Sequence, residues 1–425
     1  MTNFFKVLKN SKNSKSRLGE IATDHGVMKT PAFISAATKG TIKSLSPQLI
    51  EEIGIQAGCV NTYHLITHPG ADIIEKAGGI HKYSQLNMPL MSDSGGFQVF
   101  SLARNSKTRH INFYGSVGAL PVGSGESQVA KNLVSSSLLS KKANVRGEEQ
   151  PFLVKISEDG VKFRSTYDGA LIEFTPEKSM EYQRQIGADI NMAFDECTYY
   201  PATHEYAEKA MKRTHEWLRR CIKYKKSSIS NQYLYGVIQG GTFEDLRKKS
   251  AKFVVSQNTP GVAIGGVSVG ETKKEMRDQV KWVSDYLPKD RPVHLLGVGQ
   301  IDDIIDLVKY GIDTFDCVEP TRLARMGTLY KMSNIKLQMI NEFQKTNNEF
   351  KNEEIDITKS IYKNNLEKVD VDCECYVCKN FTKSYLHHLF KQREILGYTL
   401  ATFHNLWVME KLFEGIRKSI LKNKI

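Results

Sequence analysis

Residues 293–318 read VHLLGVGQIDDIIDLVKYGIDTFDCV and contain a predicted strand, a helix and a second strand. The runs 293–296 and 314–318 are short, apolar and bounded by glycine or polar residues, as is typical of buried strands. Between them, the apolar residues of 301–310 have helical spacing. This unit predicts two parallel neighbouring strands joined by a helix.

The same pattern recurs over most of the chain. We predict strands at 31–35, 59–63, 89–92, 189–194, 233–238, 262–264, 293–296 and 314–318. We predict helices at 46–54, 201–225, 271–287 and 301–310. Eight strands that alternate with helices favour a closed (β/α)8 TIM barrel over an open doubly wound sheet, and no dinucleotide-binding glycine fingerprint is present.

Polar residues and glycines lie at the C-terminal ends of the predicted strands. They are Asn61, Asp93, Asp195, Gln239, Gly266, Gly297 and Asp316. The active site of such barrels is built at this rim, so these residues are candidates for catalysis or binding.

Two stretches interrupt the barrel pattern and suggest the domain organisation. We predict a catalytic barrel at 1–342 with an insertion at about 103–155, then a zinc-binding and helical C-terminal subdomain at 343–425. The insertion carries eight basic residues and three acids, so it is either a set of phosphate contacts or a solvated surface loop.

Composition limits the class of protein. The formal charge of +12 fits a polyanionic partner such as RNA, but it fits a lysine-rich proteome equally well. No apolar run approaches the roughly 18 residues of a membrane-spanning helix. Seven cysteines, an odd number, argue against a disulfide framework and predict a cytoplasmic protein.

Three of the cysteines form a metal-binding pattern. Cys373, Cys375 and Cys378 have the spacing C-x-C-x2-C, and a histidine would complete a closed tetrahedral Zn²⁺ site of structural type. Spacing alone leaves the histidine open between His404 and the nearer pair His387 and His388.

Three further motifs carry acids where predicted strands end. They read DSGGFQVF (93–100), DECT (195–198) and TFDCVEPTRLAR (314–325). DSGG alone could be a simple turn that begins with aspartate. Asp316, however, lies inside an apolar strand, where a carboxylate is costly unless it is paired or functional.

These motifs, together with NTYHL (61–65), IQGG (238–241), GGVSVGE (265–271) and LLGVG (295–299), resemble those of the tRNA-guanine transglycosylase family, also called queuine tRNA-ribosyltransferase. They occur in the family's order over nearly the whole chain, apart from 103–155. The resemblance implies a homodimeric enzyme that exchanges guanine, at the wobble position of tRNAs with G-U-N anticodons, for a free 7-deazaguanine in queuosine biosynthesis.

The resemblance also implies roles for residues that match the family's motifs. Asp316 matches the nucleophile that forms a covalent bond to ribose, and Asp93 matches the general base. Base recognition is implied for Asp93, Ser94, Gly95, Gly96, Phe97, Asp195, Gln239 and Gly266. RNA contacts are implied for Gly297, Val298, Gly299, Gln300, Ile301, Asp302 and Asp303, and for Thr321, Arg322, Leu323, Ala324 and Arg325. The implied zinc ligands are Cys373, Cys375, Cys378 and His404.

A few positions bear on which base is used. Cys197 and Val269 resemble the bacterial form, which takes 7-aminomethyl-7-deazaguanine, while His294 and Leu296 replace a frequent Tyr and Met. The alternatives are direct use of queuine, a non-catalytic tRNA-binding subunit, and an unrelated (β/α)8 metabolic enzyme. The second alternative would predict loss of the nucleophile, yet both Asp93 and Asp316 are present.

Overall fold

The computed structural model describes residues 4–97, 152–165, 167–333 and 354–425. Most of the predicted insertion, 103–151, therefore lies outside the described residues. Its last residues, 152–155, belong to a strand rather than to a loop. Within the described ranges, every helix is too short or too polar to span a bilayer.

An antiparallel sheet that the sequence analysis did not predict precedes the barrel. Its strands are β1 (Phe5–Asn10), β2 (Arg17–Thr23) and β3 (Gly26–Thr30). Phe5, Ile21 and Met28 are buried in one cluster with residues of the barrel interior, and the Phe4 ring stacks on that of Tyr233 at 3.7 Å. The sheet thus covers the N-terminal end of the barrel and leaves the C-terminal end for the site.

Eight parallel strands form the closed barrel and confirm the predicted fold class. They are β4 (Ala32–Ala36), β5 (Gly58–Val60), β6 (Leu90–Ser92), β10 (Ile190–Met192), β11 (Tyr233–Ile238), β12 (Gly261–Ile264), β13 (Val293–Leu295) and β14 (Thr314–Cys317). The barrel closes where β14 pairs with β4, with Asp316 opposite Ile34. The predicted strand 59–63 ends early, at Val60, because Asn61 already caps a helix.

A second antiparallel sheet lies between β6 and β10 in sequence. Its strands are β7 (Phe152–Ile156), β8 (Val161–Arg164) and β9 (Leu171–Phe174). The rings of Phe163 and Phe174 are fully buried, and Phe174 packs 5.5 Å from Phe194. A Cβ atom at Gly95 would lie 3.1 Å from the Phe174 ring, so this sheet supports the loop after β6.

Helices surround the barrel and form most of the C-terminal region. They are α1 (Pro47–Ile53), α2 (Thr62–Thr67), α3 (Ala71–Lys76), α4 (Ile80–Ser84), α5 (Pro176–Ile186), α6 (His204–Ser227), α7 (Glu244–Ser256), α8 (Lys273–Val283), α9 (Ile301–Leu307), α10 (Glu319–Met326), α11 (Tyr376–Asn380), α12 (Lys383–Gln392) and α13 (Ile395–Leu421). Several begin where a side-chain oxygen accepts a backbone N–H, as Thr175, Thr203 and Thr272 do.

The C-terminal helices pack onto the closing strands of the barrel. The ring of Phe413 on α13 lies 6.1 Å from Phe33 and 5.8 Å from Phe315. Two short strands, β15 (Thr328–Tyr330) and β16 (Glu354–Asp356), pair across the predicted boundary at 342/343. That boundary stays a prediction, and the two regions share one hydrophobic core.

Candidate active site and metal centre

Asp93 lies in the loop that follows β6 and is held by this loop and by the start of α2. Its Oδ1 accepts hydrogen bonds from the backbone N–H of Thr62 (2.9 Å) and of Gly95 (3.0 Å), and its Oδ2 accepts one from Asn61 Nδ2. Gly95 has φ +78°, a conformation that favours glycine and turns its N–H back onto the carboxylate. The carboxylate is therefore preorganised rather than free to rotate.

The acidity of Asp93 is unusual for an aspartate. Burial raises its pKa to about 7, although the hydrogen bonds from Thr62 and Gly95 lower it; nearby Asp316 and Asp195 raise it further. A carboxyl group with a pKa near neutrality can both give and take a proton during a reaction.

Asp316 lies near the end of β14, with 19% of its side chain exposed. Its Oδ1 accepts the backbone N–H of Gly297 at 3.0 Å and lies 3.2 Å from His294 Nε2. The His294 ring is fully buried, with Nδ1 2.9 Å from Thr314 Oγ1. These contacts are satisfied together when Nε2–H donates to Asp316 and the Thr314 hydroxyl donates to Nδ1.

Cys59 shows that the two carboxylates share one environment. Burial raises the pKa of its thiol well above the ordinary value, and the charges of Asp316 and Asp93 raise it further. Both carboxylates are thus near one neutral thiol on β5, at the mouth of the barrel.

A second polar group, formed by Asp195, Gln239 and Ser94, lies at the same rim. Asp195 Oδ1 accepts from Ser94 Oγ (3.2 Å), and Oδ2 accepts from Gln239 Nε2 (2.7 Å). Burial raises the pKa of Asp195 to about 6 against the lowering effect of these two hydrogen bonds. The amide oxygen Oε1 of Gln239 is buried and has no hydrogen-bond partner among the described residues. This pocket therefore offers an unused acceptor.

Gly266 borders the Gln239 amide and has to be glycine. Its φ is +63°, and a Cβ atom there would come within 2.1 Å of Gln239 Oε1. The absence of a side chain at Gly266 gives the amide its space.

The residues implied to contact RNA divide into exposed and buried members. Gly297 and Arg322 are exposed, and Gln300, Asp302, Leu323 and Arg325 are partly buried. Val298, Gly299, Ile301, Asp303, Thr321 and Ala324 are buried. Asp303 is paired with Arg277 at 2.7 Å and Asp302 with Lys273 at 2.7 Å, so both acids support the segment through ion pairs. Phe97, the last described residue before the gap, is in a helical conformation, and its side chain is 41% exposed.

Comparison with known proteins bears on what this site is. A sequence profile of the family described as Queuine tRNA-ribosyltransferase matches residues 12–130 and 141–425. The chain belongs to the queuine tRNA-ribosyltransferase family. The resemblance inferred from the motifs is thereby confirmed, and the match leaves out only 131–140 within the predicted insertion.

Individual relatives match over nearly their full length. The queuine tRNA-ribosyltransferase of Thermoanaerobacter pseudethanolicus is 39% identical over 421 residues, which cover 99% of this chain and 94% of the relative. That of Aquifex aeolicus is 40% identical over 412 residues, covering 96% and 93%. A protein of Archaeoglobus fulgidus named putative queuine tRNA-ribosyltransferase is 36% identical over 406 residues, covering 96% and 93%.

The cysteine motif forms a compact cluster in this family member. Cys373, Cys375, Cys378 and His404 are buried, and their ligand atoms lie within 4.8 Å of one another. His404 Nδ1 is 3.8, 3.5 and 3.3 Å from the three sulfur atoms in that order. Tetrahedral Zn²⁺ with ordinary Zn–S and Zn–N bonds separates its ligand atoms by about 3.5 Å. The cluster could hold a metal ion, and its donor set fits zinc.

The spacing left open which histidine is the fourth ligand, and the contacts of the histidine rings decide it. His404 Nε2 lies 2.7 Å from the Tyr330 carbonyl oxygen, so the N–H is on Nε2 and the Nδ1 lone pair faces the sulfur atoms. His387 Nδ1 lies 2.8 Å from the Ile357 carbonyl oxygen instead, and His388 is exposed. Neither of these two belongs to the cluster.

We expect one tightly bound zinc per chain at this cluster, retained on dialysis, and its loss in Cys375→Ser. A closed shell contributes folding free energy, so the substitution should lower the free energy of unfolding by about 4 kcal/mol or more. Metal analysis and urea denaturation measure the two effects. Glu374→Gln changes an exposed neighbour and should leave both unchanged. A stable, metal-free Cys375→Ser protein would contradict the structural role.

Two supporting residues were not assigned roles by sequence reasoning. Arg247 on α7 is fully buried and donates to the carbonyl oxygens of Gly241 (2.7 Å), Gly265 (2.6 Å) and Gly266 (2.6 Å). His294 was noticed as a departure from relatives but not as a partner of Asp316. An arginine on an amphipathic helix gives no sign of burial, so only the three-dimensional contacts reveal that Arg247 holds the Gly265–Gly266 turn.

Proposed function

We propose that this chain replaces guanine at the wobble position of tRNAs with G-U-N anticodons by a free 7-deazaguanine, through a covalent Asp316–ribose intermediate, in queuosine biosynthesis. The observation that carries the proposal is that two carboxylates with different properties lie at the same C-terminal rim of the barrel. Asp316 is hydrogen-bonded through Oδ1 yet partly exposed, and nearby Asp93 has a pKa of about 7. A nucleophile and a proton carrier need these opposite properties.

In the first step, a carboxylate oxygen of Asp316 bonds to the anomeric carbon of the ribose as the bond from that carbon to guanine breaks. Oδ1 is held by Gly297 and His294, while Oδ2 has no hydrogen bond from the described residues and is the better placed to attack. The departing guanine takes the proton of Asp93.

The second step reverses the first with a new base. The incoming 7-deazaguanine gives its ring N–H proton to Asp93 as its nitrogen attacks the anomeric carbon, and the Asp316 ester bond breaks. Two displacements preserve the configuration at this carbon, as in retaining glycosidases. Each displacement breaks one bond to the anomeric carbon and forms another, so no external energy source is required.

Asp195 and Gln239 are suited to read the edge of the base. The Asp195 carboxylate can accept two N–H groups, and the unused Gln239 Oε1 is a further acceptor beside it. A base that donates to Asp195 competes with Gln239 Nε2, so we expect this amide to rearrange on binding. Phe97 offers a face on which the unstacked base can lie.

The proposal also covers the base that is used, the oligomeric state, the cellular compartment and the role of the zinc. Cys197 and Val269 are nearly fully buried, and both match the bacterial form of the family, which takes the smaller base. We therefore propose 7-aminomethyl-7-deazaguanine as the substrate. A homodimer in the cytoplasm, with the zinc in a structural role, completes the proposal.

The direct test is exchange of radiolabelled guanine in tRNA, competed by each free base. We expect label to leave a G-U-N tRNA in the presence of 7-aminomethyl-7-deazaguanine, with queuine a weaker competitor by about tenfold or more. A tRNA with another anticodon is the substrate control. Val269→Gly should narrow the difference between the bases by admitting queuine. Absence of exchange with every base would overturn the function, whereas equal use of both would overturn only the base assignment.

A further inference from the structure

Arg247, on α7, is a fully buried cation that contacts the turn beside the base-reading groups. Its guanidinium donates to the carbonyl oxygens of Gly265 and Gly266 and to Gln279 Oε1. Burial lowers the pKa of the guanidinium to about 10, while the charge of Glu271 raises it. The group therefore remains charged at neutral pH, and its hydrogen bonds to these oxygens are of the strong, charge-assisted kind.

These hydrogen bonds fix the orientation of two successive peptide groups. The carbonyl oxygen of Gly265 lies 2.6 Å from Arg247 Nη1, and that of Gly266 lies 2.6 Å from Nη2. In a trans peptide the C=O and N–H groups point in opposite directions, so the N–H of Gly266 points away from Arg247. This N–H donates to no group among the described residues, and Gly266 is partly exposed. It is therefore free to donate to a ligand at the rim.

A second residue of α7 holds the backbone of Gln239. Ser250 Oγ accepts the Gln239 N–H at 3.1 Å and lies 3.1 Å from His215 Nε2. Burial lowers the pKa of His215 to about 4, so its ring is neutral and can accept the Ser250 hydroxyl proton. Arg247 and Ser250 are three residues apart and lie on one face of the helix. The helix α7 thus fixes Gln239 and the Gly265–Gly266 turn relative to each other.

The resulting turn presents a backbone donor beside the Gln239 amide. A Cβ atom at Gly266 would come within 2.1 Å of Gln239 Oε1, which shows how closely the amide and the turn approach. A free N–H at this place suits an exocyclic oxygen on the edge of a purine. A base whose exocyclic atom accepts poorly would leave the N–H without a partner, and such a loss is costly in a pocket.

We propose that Arg247 is a positioning residue that aims the Gly266 N–H at the exocyclic oxygen of the base and thereby sets the selectivity of the pocket. This inference rests on the proposed function, because it requires guanine or a deazaguanine to bind beside Gln239. Guanine carries the oxygen, whereas 6-thioguanine carries a sulfur atom in its place, which is a weaker acceptor. The protein should therefore prefer guanine, and the preference should depend on Arg247.

The test measures the binding of free bases to the full-length protein by equilibrium dialysis of radiolabelled guanine, displaced by guanine or by 6-thioguanine. We expect the unaltered protein to bind guanine at least about tenfold more tightly than 6-thioguanine. Arg247→Lys keeps the charge but loses the planar fork that reaches two carbonyl oxygens at once. Its affinity should fall about tenfold for guanine and by less than about threefold for 6-thioguanine. A general loosening of the pocket would weaken both bases equally.

Two further variants complete the experiment. Arg247→Met cannot donate and should lose the same preference; Arg247→Lys is the milder change and carries the test if Arg247→Met does not fold, as its melting temperature would show. Lys249→Gln, which changes a side chain on α7 that is 57% exposed, should behave as the unaltered protein. The affinity of the folded variants for tRNA, which depends mainly on phosphate contacts, should stay within about twofold.

The outcomes separate this role from the proposed function. Equal affinity of the unaltered protein for the two bases would overturn the role of Arg247. An undiminished preference for guanine in a folded Arg247→Lys protein, or equal weakening of both bases, would overturn it as well. Absence of guanine binding by the unaltered protein would overturn the proposed function together with this inference.

Discussion

Replacement of Asp316 by alanine is expected to abolish both guanine exchange and the trapping of tRNA in a covalent adduct. The rate should fall by at least about 10⁴-fold, because the step that breaks the bond to guanine loses its nucleophile. Asp93 cannot replace it, since its carboxylate is held by Thr62, Gly95 and Asn61. Radiolabelled guanine exchange and a denaturing gel of the protein–RNA adduct measure the two effects.

The alanine variant should remain folded, because the two partners of Asp316 lie near solvent or retain another contact. His294 keeps its contact with Thr314, and Gly297 is exposed. Asp290→Ala, at the opposite end of the barrel with 83% of its side chain exposed, is the matched control and should retain full activity. A stable protein–RNA adduct formed by Asp316→Ala would remove Asp316 from the nucleophile role.

Replacement of Asp93 by asparagine should leave tRNA binding intact and slow exchange by about 10²–10⁴-fold, the usual contribution of acid–base catalysis. The wild-type rate of adduct formation should also decrease as pH rises through about 7, because the group that gives its proton to guanine then loses it. The asparagine variant should lack this dependence. Single-turnover adduct formation across the pH range measures both effects.

The hydrogen bonds of Asp93 call for a second variant. With its oxygen toward Thr62 and Gly95, an asparagine at position 93 would point its amide at the amide of Asn61, where neither group accepts. The double exchange Asn61→Asp with Asp93→Asn restores that pair and still lets residue 61 cap α2 through His64. This double variant should fold normally, and its rate of base exchange should remain low. Near-normal turnover by the single variant Asp93→Asn would exclude Asp93 from proton transfer.

Much of the barrel could be predicted from the sequence because the signal for each strand lies within a few consecutive residues. Each strand of the barrel is a short apolar run between glycine or polar residues, and this pattern is typical of buried parallel strands. The antiparallel sheets β1–β3 and β7–β9 were missed. In β1, FKVLKN, exposed residues alternate with buried or partly buried ones, but the sequence itself alternates apolar and polar residues only from Phe5 to Val7, which is too short a signal to predict a strand. β7 begins inside 103–155, where the weak periodicity led us to predict an insertion.

The sequence by itself determined that the chain is an α/β barrel with acids at the ends of its strands, and that three cysteines form a metal-binding motif. Only the tertiary structure decided which histidine joins them, because His404 and His387 differ in what their rings face rather than in their spacing. It also brought His25 and Asp189 together across 164 positions of sequence. Such contacts depend on how distant segments pack, and neither composition nor periodicity carries that information.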